Sequence, residues 1–386
     1  MRNTLSTTAA PPLELKPLER MRLPADRITG NNRNTLGPCQ ISATNDLEAI
    51  DSWLRRVKDS SQTFRSYRKE IERLLLWARN QHKTISDLTA DDLYRYKDFL
   101  ADPQPAAQWC GPRLPREHER WKPFEGALKP RSINQALVII GSAFSYLTAA
   151  GYLRGNPMAL VSKKRLGQQI KSNKTVERYL EVDLWRFLWE FITNLPLASK
   201  AQRDHAERVR FLFALLYLQS PRVSEVANHR MGDFVEVRQR WWWRITGKGG
   251  KTERIPVKTA MLQALARYRR HLGLSPLPQA DEDTPLVCSL RGHKAISADM
   301  VYRLVKQTCA QAADELVLVS PQKAAWLRRA STHWMRHTSL THQAEQGVDL
   351  RYLQASARHA SIETTQRYLH KEEENWHREM DKGGDL

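Results

Sequence analysis

The spacing of apolar residues limits the fold of this 386-residue chain more than any other feature of its sequence. Before residue 151, apolar side chains recur every three or four residues, which places them on one face of an α-helix. Four segments follow this period, and their inward positions are Leu47, Ile50, Leu54 and Val57, then Phe64, Tyr67, Ile71, Leu74 and Leu75, then Leu93, Tyr96, Phe99 and Leu100, and finally Leu137, Ile140, Phe144 and Leu147. The fourth helix is expected over 132–150, where Gly151 can end it. These four segments predict a small all-helical domain.

The same helical period returns in the second half of the chain, with one β segment inside it. Helices are expected over 182–194, 201–219, 261–271, 298–313, 332–346, 350–356 and 361–370. Residues 240–257 instead contain two short apolar runs around a glycine-rich turn at 247–251, which predicts a β-hairpin. The fold class is therefore mainly α with a small β-hairpin or sheet, and the length suits two or three domains.

Composition suggests where the domains begin and end. Residues 1–42 are rich in Pro, Asn, Thr and Arg without sustained periodicity, and we interpret them as a flexible basic N-terminal arm. The helical domain is expected over 43–160, interrupted at 102–130 by a proline-rich insertion that is functional, disordered or packed on a surface. A polar, basic linker over 161–176 then leads to a second domain over 177–386.

The charge balance indicates a polyanionic partner. There are 61 Lys and Arg residues against 42 Asp and Glu residues, a formal net charge of +19. Charge of this sign fits DNA, RNA or an anionic membrane surface equally well. If the partner is DNA, most of the excess neutralises phosphates, and binding weakens steeply as salt is added.

Several classes of protein are disfavoured. The longest purely apolar run, 211–218, is far shorter than the roughly 20 residues that span a bilayer, so no transmembrane helix is expected. The first residues lack the apolar core of a secretory signal. The four cysteines form no C-x-x-C pair, which argues against a zinc module or a disulfide framework. We expect a protein of a reducing compartment, the cytoplasm, associated with the nucleoid.

Two local motifs suggest sites that the neighbouring residues do not support. The turn Gly250-Lys251-Thr252 ends like a phosphate-binding P-loop, but Ile245 stands where that motif needs glycine, and a strand follows instead of a helix. His333 and His337 are spaced like zinc ligands, but Trp334 occupies the position of the glutamate in H-E-x-x-H. No metal site and no cofactor is predicted, and the turn is left with a lysine displayed at the tip of a hairpin.

A scattered set of polar residues has the chemistry to cleave a phosphodiester. Two arginines can clamp the non-bridging oxygens and stabilise the extra negative charge of the transition state. A tyrosine can act as nucleophile, while lysine and histidine transfer protons to and from the reacting oxygens. The residues in question are Arg222, Lys248 or Lys251, His333, Arg336, His359 and Tyr368.

Four blocks containing these residues resemble, in order and spacing, the tyrosine recombinase or phage integrase family. They are Arg-Val-Ser-Glu-Val at 222–226, Gly-Lys-Gly-Gly-Lys-Thr-Glu-Arg-Ile-Pro-Val at 247–257, His-Trp-Met-Arg-His-Thr-Ser-Leu-Thr-His-Gln-Ala-Glu-Gln-Gly-Val-Asp at 333–349, and His-Ala-Ser-Ile-Glu-Thr-Thr-Gln-Arg-Tyr-Leu-His at 359–370. The resemblance implies a two-domain architecture, with a helical core-binding domain and a mixed, mostly helical catalytic domain that together clamp duplex DNA. Arg358 departs from the pattern, because many members have glycine at that position.

The resemblance also implies roles for individual residues. Arg222 and Arg336 would clamp the phosphate, and Glu225 would support them. Lys248 would be the general acid to the 5′ leaving oxygen, with Lys251 as the alternative. His333 would assist proton transfer, His359 would hydrogen-bond the phosphate, and Tyr368 would form a 3′-phosphotyrosyl link. DNA contacts outside this set are expected from Arg65, Lys69, Arg131 and Lys251.

The function implied is site-specific recombination of double-stranded DNA without metal or ATP. The resemblance further implies a homotetramer on DNA, an accessory recombinase or directionality factor, and a C-terminal tail, 371–386, that packs on a neighbouring protomer or frays. Two alternatives stay open: a type IB topoisomerase-like nicking and resealing activity, and a DNA-binding protein whose catalytic set is vestigial.

Overall fold

The protein has two compact units, Met1–Lys171 and Ser172–Leu386, each built around its own apolar core. The computed structural model describes residues 15–21, 30–161, 178–247, 250–292, 294–359 and 364–365. Within these residues the secondary structure is mainly helical, with one small antiparallel sheet. The predicted fold class, mainly α with a small β element, is confirmed.

The first unit is a bundle of helices around one central helix. Its helices are α1 (Asp46–Arg55), α2 (Ser61–Asn80), α3 (Ala90–Ala101), α4 (Ala106–Trp109) and α5 (Pro130–Ala149). Local sequence explains where they begin: Asn45 caps α1, the Thr89 side chain caps α3 with Asp92 reciprocating, and Pro130 opens α5. Helix α5 packs against α1, α2 and α3. The four helices predicted for this part of the sequence are all present.

Helix α5 is also long and apolar enough to cross a membrane, with a mean hydropathy of 1.2 over its best 18-residue window. It is the one helix in the described residues that meets this test, which core helices of soluble proteins also meet. Its residues Leu137, Ile140 and Phe144 are buried in the core of the first unit. Its contacts with α1, α2 and α3 account for these buried apolar residues.

The insertion at 102–130 packs on the first unit. Trp109 and Phe124 are 0% and 1% exposed, and the ring of Phe99 meets both edge-on. The Arg73 guanidinium lies 4.4 Å from the centre of the Phe124 ring, and its Nε donates to the Pro123 carbonyl at 2.9 Å. The insertion is therefore packed on a surface, which is one of the three possibilities that the sequence left open.

The predicted flexible arm needs a correction in its described parts, residues 15–21 and 30–42. Leu18 N donates to the Glu72 carboxylate at 2.6 Å, and Asn34 N and Gln40 N donate to the carbonyls of Tyr152 and Ala150 at 2.9 and 2.8 Å. The first bond ties residue 18 to α2, and the other two tie residues 34 and 40 to the chain at the end of α5. The prediction failed because tertiary backbone hydrogen bonds leave no period in the sequence.

The second unit surrounds the buried helix α7. Its helices are α6 (Val182–Thr193), α7 (Lys200–Gln219), α8 (Val223–Asn228), α9 (Thr259–His271), α10 (Ala298–Leu316), α11 (Pro321–Arg329), α12 (Thr332–Glu345) and α13 (Leu350–Ala357). Helix α7 contacts α6, α9, α10 and α12, and its residues 211–216 are all buried. Helix α11 was not predicted. The helix expected over 361–370 falls outside the described residues except for 364–365, and so does the linker apart from residue 161.

The sheet runs in the order β1 (Phe234–Val237), β2 (Arg240–Thr246), β3 (Thr252–Pro256), with both pairs antiparallel. Strands β2 and β3 are the predicted hairpin. Trp243 faces both Phe234 and Ile255 across the ladder, is fully buried, and stacks on Phe234 with ring centres 5.4 Å apart. Strand β1 was missed because four residues are too few to show a period.

Candidate active site

Arg222 lies at the start of α8, beside the end of α7. Ser220 has a left-handed backbone (φ 51°) that ends α7, and Arg222 is the N-cap of α8 instead of a first-turn residue as predicted. Its backbone N donates to Glu225 Oε2 at 2.6 Å and its Nη1 donates to Oε1 at 3.0 Å. Glu225 is 4% exposed, while the Arg222 side chain is 45% exposed. Arg222 is therefore anchored at a buried carboxylate and still reaches solvent.

Arg336 lies on α12 and joins the ends of two other helices. It is 4% exposed, and its two Nη atoms donate to the carbonyls of Ser220, just past α7, and Ala357, the last residue of α13. One turn earlier on α12 is His333, whose Nε2 shares a hydrogen bond of 2.7 Å with His337 Nε2. The i and i+3 spacing of His333 and Arg336 thus places both at the same end of α12.

His359 follows the end of α13. Arg358 has a left-handed backbone (φ 52°, ψ 48°) that terminates the helix. His359 Nδ1 lies 2.9 Å from Thr365 Oγ1, and the main chain of His359 exchanges hydrogen bonds with Gln354. The main chain of His359 is therefore held by Gln354, and its imidazole is held by the Thr365 hydroxyl.

The charges in this cluster act on its histidines. Burial, and after it the positive charge of Arg336, lowers the pKa of His359 from 6.5 to about 4. Burial and the neighbouring His333 lower the pKa of His337 to about 3, and burial and Arg336 lower the pKa of His333 as well. These rings are neutral at pH 7 in the free protein, so each can accept a proton or a hydrogen bond.

Glu225 remains ionised in the same cluster. Burial opposes its ionisation, but Arg358 and then Arg222 outweigh burial and hold the pKa of Glu225 below its usual value. Arg358 Nη2 donates to Glu225 Oε2 at 2.5 Å. The carboxylate therefore bridges two guanidinium groups.

The structure brings together five of the predicted site residues: Arg222, Glu225, His333, Arg336 and His359. They come from the start of α8, from α12 and from the end of α13, up to 137 positions apart in sequence. Lys248 and Tyr368 lie outside the described residues. Lys251 is exposed at the β2–β3 turn, and β3 packs against α13. The choice between Lys248 and Lys251 stays a prediction.

Two contributors to the cluster were not predicted from the sequence. His229 is buried, bonds through Nδ1 to the Glu225 carbonyl at 2.9 Å and accepts at Nε2 from Thr246 N at 2.9 Å, which connects α8 to β2. Arg358 was noticed only as a departure from the family pattern. A histidine four residues after the glutamate is the signal that could have pointed to His229, because that spacing returns to the same helical face.

The residues predicted to contact DNA from the first unit are exposed. Arg65 and Lys69 lie on α2 and Arg131 lies on α5, two helices that pack together. Lys69 Nζ is 3.0 Å from Glu70 Oε1. Their contact with DNA stays a prediction, as does that of Lys251.

Among the described residues, no group of three or more His, Cys, Asp or Glu side chains has the geometry to hold a metal ion. His333 and His337, the pair considered for zinc, are hydrogen-bonded to each other.

Comparison with known proteins gives the family. Residues 193–375 match the phage integrase family. The chain is 26% identical to tyrosine recombinase XerC of Thermodesulfovibrio yellowstonii over 337 residues, which covers 85% of this chain and 93% of the relative. It is 28% identical to tyrosine recombinase XerC of Rhodospirillum centenum, covering 86% of this chain and 84% of that protein.

Solved structures share the fold. The XerH site-specific recombinase bound to a palindromic difH substrate, in a post-cleavage complex, superposes with a TM-score of 0.59 at 16% identity and covers 90% of this chain and 91% of that one. The Tn1549 transposon integrase in complex with circular intermediate DNA superposes with a TM-score of 0.58 at 15% identity, covering 88% and 99%. The motif blocks, the match over 193–375 and the curated relatives agree: residues 193–375 form a phage integrase domain, and together these findings support a tyrosine recombinase.

Proposed function

We propose that the protein is a site-specific DNA recombinase, an integrase or transposon recombinase, that breaks and rejoins strands through a 3′-phosphotyrosyl bond to Tyr368. The observation that carries the proposal is the convergence of two arginines and two histidines from α8, α12 and the end of α13. Convergent positive charge disfavours a bound metal ion and can stabilise the negative charge of a phosphate diester as it reacts.

The substrate we propose is double-stranded DNA. XerH and the Tn1549 integrase, which share this fold, are in complexes with a difH substrate and with circular intermediate DNA. The net charge of +19 supports a polyanion of that kind. In this proposal residues 43–160 hold DNA, with Arg65, Lys69 and Arg131 at its backbone, and 177–386 carry the catalytic residues.

The proposed first step is attack by Tyr368 Oη on phosphorus. A bond from phosphorus to Oη forms as the bond to the 5′ oxygen breaks, and Lys248 gives that oxygen its proton. Arg222 and Arg336 stabilise the additional negative charge on the non-bridging oxygens, a role that fits the solvent-reaching guanidinium of Arg222 and the fixed plane of Arg336.

The neutral histidines fit the proton transfers of this step. His333, whose pKa is lowered, is able to take up the proton that Tyr368 loses, directly or through a neighbour. His359 is proposed to hydrogen-bond the phosphate, with Thr365 orienting its ring through Nδ1.

The second step reverses the first with another 5′-hydroxyl as nucleophile. One phosphodiester is exchanged for one phosphotyrosine and back again, so the bond energy is conserved and ATP is not needed. Because two guanidinium groups and a lysine provide the positive charge, the proposed reaction has no requirement for a metal ion. Strand exchange between two sites implies a homotetramer on DNA, with the tail 371–386 linking protomers, and an accessory recombinase or directionality factor can set the direction. The proposed location is the cytoplasm, at the nucleoid.

A suicide DNA substrate, nicked so that the cleaved strand diffuses away, tests the proposal. We expect a covalent adduct that survives denaturant with the wild-type protein and is absent from Tyr368→Phe. Exchange between two sites distinguishes recombination from relaxation by a topoisomerase-like activity. If cognate DNA, identified by footprinting, is bound without any adduct, the catalytic set is vestigial and the proposal is wrong.

A further inference from the structure

Arg358 closes a ring of hydrogen bonds around the proposed phosphate clamp. Its Nη2 donates to Glu225 Oε2 at 2.5 Å, Glu225 Oε1 accepts from Arg222 Nη1 at 3.0 Å, and Arg222 Nη2 donates to the Arg358 carbonyl at 2.9 Å. Residues 136 positions apart thus hold one another through both main chain and side chain.

The backbone at Arg358 would suit glycine better than arginine. A left-handed conformation (φ 52°) costs a residue with a Cβ free energy that glycine does not lose. An arginine here is therefore maintained against a local conformational penalty. The hydrogen bonds of its guanidinium group offset this cost: besides the bond from Nη2 to Glu225, Nη1 donates to the Ser356 carbonyl at 3.0 Å.

The two arginines of the ring differ in what they can reach. The Arg358 side chain is 6% exposed, whereas the Arg222 side chain is 45% exposed. A buried guanidinium that is committed to Glu225 does not contact DNA, so Arg358 acts through its neighbours.

Charge explains what Arg358 does there. Glu225 is buried and ionised, and without Arg358 its negative charge would be compensated chiefly by Arg222. A second guanidinium on the same carboxylate leaves the ring with one net positive charge, located on the arginine that faces solvent. Without Arg358, the buried carboxylate would have Arg222 as its main partner and would weaken the attraction of Arg222 for a phosphate.

We propose that Arg358 is a positioning residue for the recombinase reaction, which neutralises Glu225 so that the guanidinium of Arg222 is oriented toward the scissile phosphate and its positive charge is not cancelled by Glu225. The inference rests on the proposed function of this site. It concerns a residue that replaces the glycine common in the family, and its effect is on the chemical step instead of on DNA affinity.

Three substitutions at this position separate charge from backbone conformation. Arg358→Gly removes the guanidinium but keeps the left-handed backbone and the carbonyl that accepts from Arg222. Arg358→Lys keeps the charge, and Arg358→Gln removes it while keeping most of the volume. The matched control is Arg351→Gln, which removes a positive charge from α13 at a side chain that is 79% exposed and paired with Asp349.

The measurement is the single-turnover rate of adduct formation on the suicide substrate, with DNA affinity and thermal unfolding measured in parallel. We expect Arg358→Gly and Arg358→Gln to slow cleavage about tenfold or more, a change of about 1.4 kcal/mol per factor of ten, with DNA affinity within twofold of wild type. Arg358→Lys should recover most of the rate, and Arg351→Gln should cleave like wild type. Arg358→Gly should remain folded well above the assay temperature, so that lost folding cannot explain a lost rate.

A double-mutant cycle with Glu225→Gln then tests the stated route. In that background the charge that Arg358 neutralises is gone, so adding Arg358→Gly should slow cleavage less than threefold further. The inference is overturned if Arg358→Gly cleaves within twofold of wild type, or if its full defect persists alongside Glu225→Gln. Absence of any wild-type adduct would instead refute the proposed function, so the two failures are distinguishable.

Discussion

Acid should destabilise the second unit through the histidines of its cluster, at a pH where carboxylates are still largely ionised. The folded protein lowers the pKa of His359 to about 4 and of His337 to about 3, from 6.5. Below pH 6.5 these histidines are protonated in the unfolded chain but remain mostly neutral in the folded chain. Stability from these groups is therefore complete above pH 6.5 and is lost as the pH falls toward their folded pKa values.

The size of the effect follows from the two pKa values of each histidine. Between pH 7.5 and 5.0 the linkage relation gives a loss of about 2 kcal/mol per histidine for fully buried rings. Both rings are partly open to solvent, which screens the neighbouring charges and reduces the expected loss to about 1 kcal/mol each. The second unit should therefore lose about 2 kcal/mol of unfolding free energy over this range.

Urea unfolding with pulsed hydrogen exchange measures this quantity for the second unit separately, since peptides of α12 report on that unit alone. His337→Asn and His359→Asn should each reduce the pH-dependent loss by about 1 kcal/mol. The control is His118→Asn, which replaces an exposed histidine of the first unit and should leave the pH-dependent loss of the second unit unchanged. Carboxylates such as Glu225 contribute equally to wild type and variants, so the comparison removes them. If the variants lose as much stability as wild type between pH 7.5 and 5.0, the assigned cause is wrong.

Two further predictions concern the hairpin lysines and the insertion. Lys248→Ala should slow cleavage of a suicide substrate far more than it weakens DNA binding, and if Lys251→Ala is instead the damaging change, the proposed register of the turn is incorrect. Trp109→Ala should destabilise the first unit by about 3–5 kcal/mol. The reason is that this fully buried indole packs edge-on against Phe99, with the ring centres 4.8 Å apart. Thermal unfolding resolved by hydrogen exchange checks it, and a loss below about 1 kcal/mol would mean that the insertion contributes little to the core.

Much of the helical content was open to prediction because its signal is local. Helices α1, α3 and α5 each bury a stripe of mostly apolar residues, whereas α2 is buried on all sides over 70–78, and the caps at Asn45 and Thr89 lie within three residues of their partners. Strand β1 and helix α11 were missed, since four residues, or nine residues with only Ala324 and Leu327 buried, give too weak a period. Residues 30–42 of the arm were wrongly predicted to be flexible because they are ordered by hydrogen bonds to Tyr152 and Ala150, over 100 residues away in sequence.

The order and spacing of the motif blocks sufficed to nominate the family and the reacting residues, because those residue types carry their chemistry wherever they are placed. The sequence alone could not predict which residues become neighbours in the folded protein. Arg336 meets the carbonyls of Ser220 and Ala357 only because α12 packs beside the ends of α7 and α13. Arg358 is an anomaly in sequence and becomes a partner of Glu225 in three dimensions. Hydrogen bonding and burial depend on distances through space, and these set which arginine faces solvent and which histidines stay neutral.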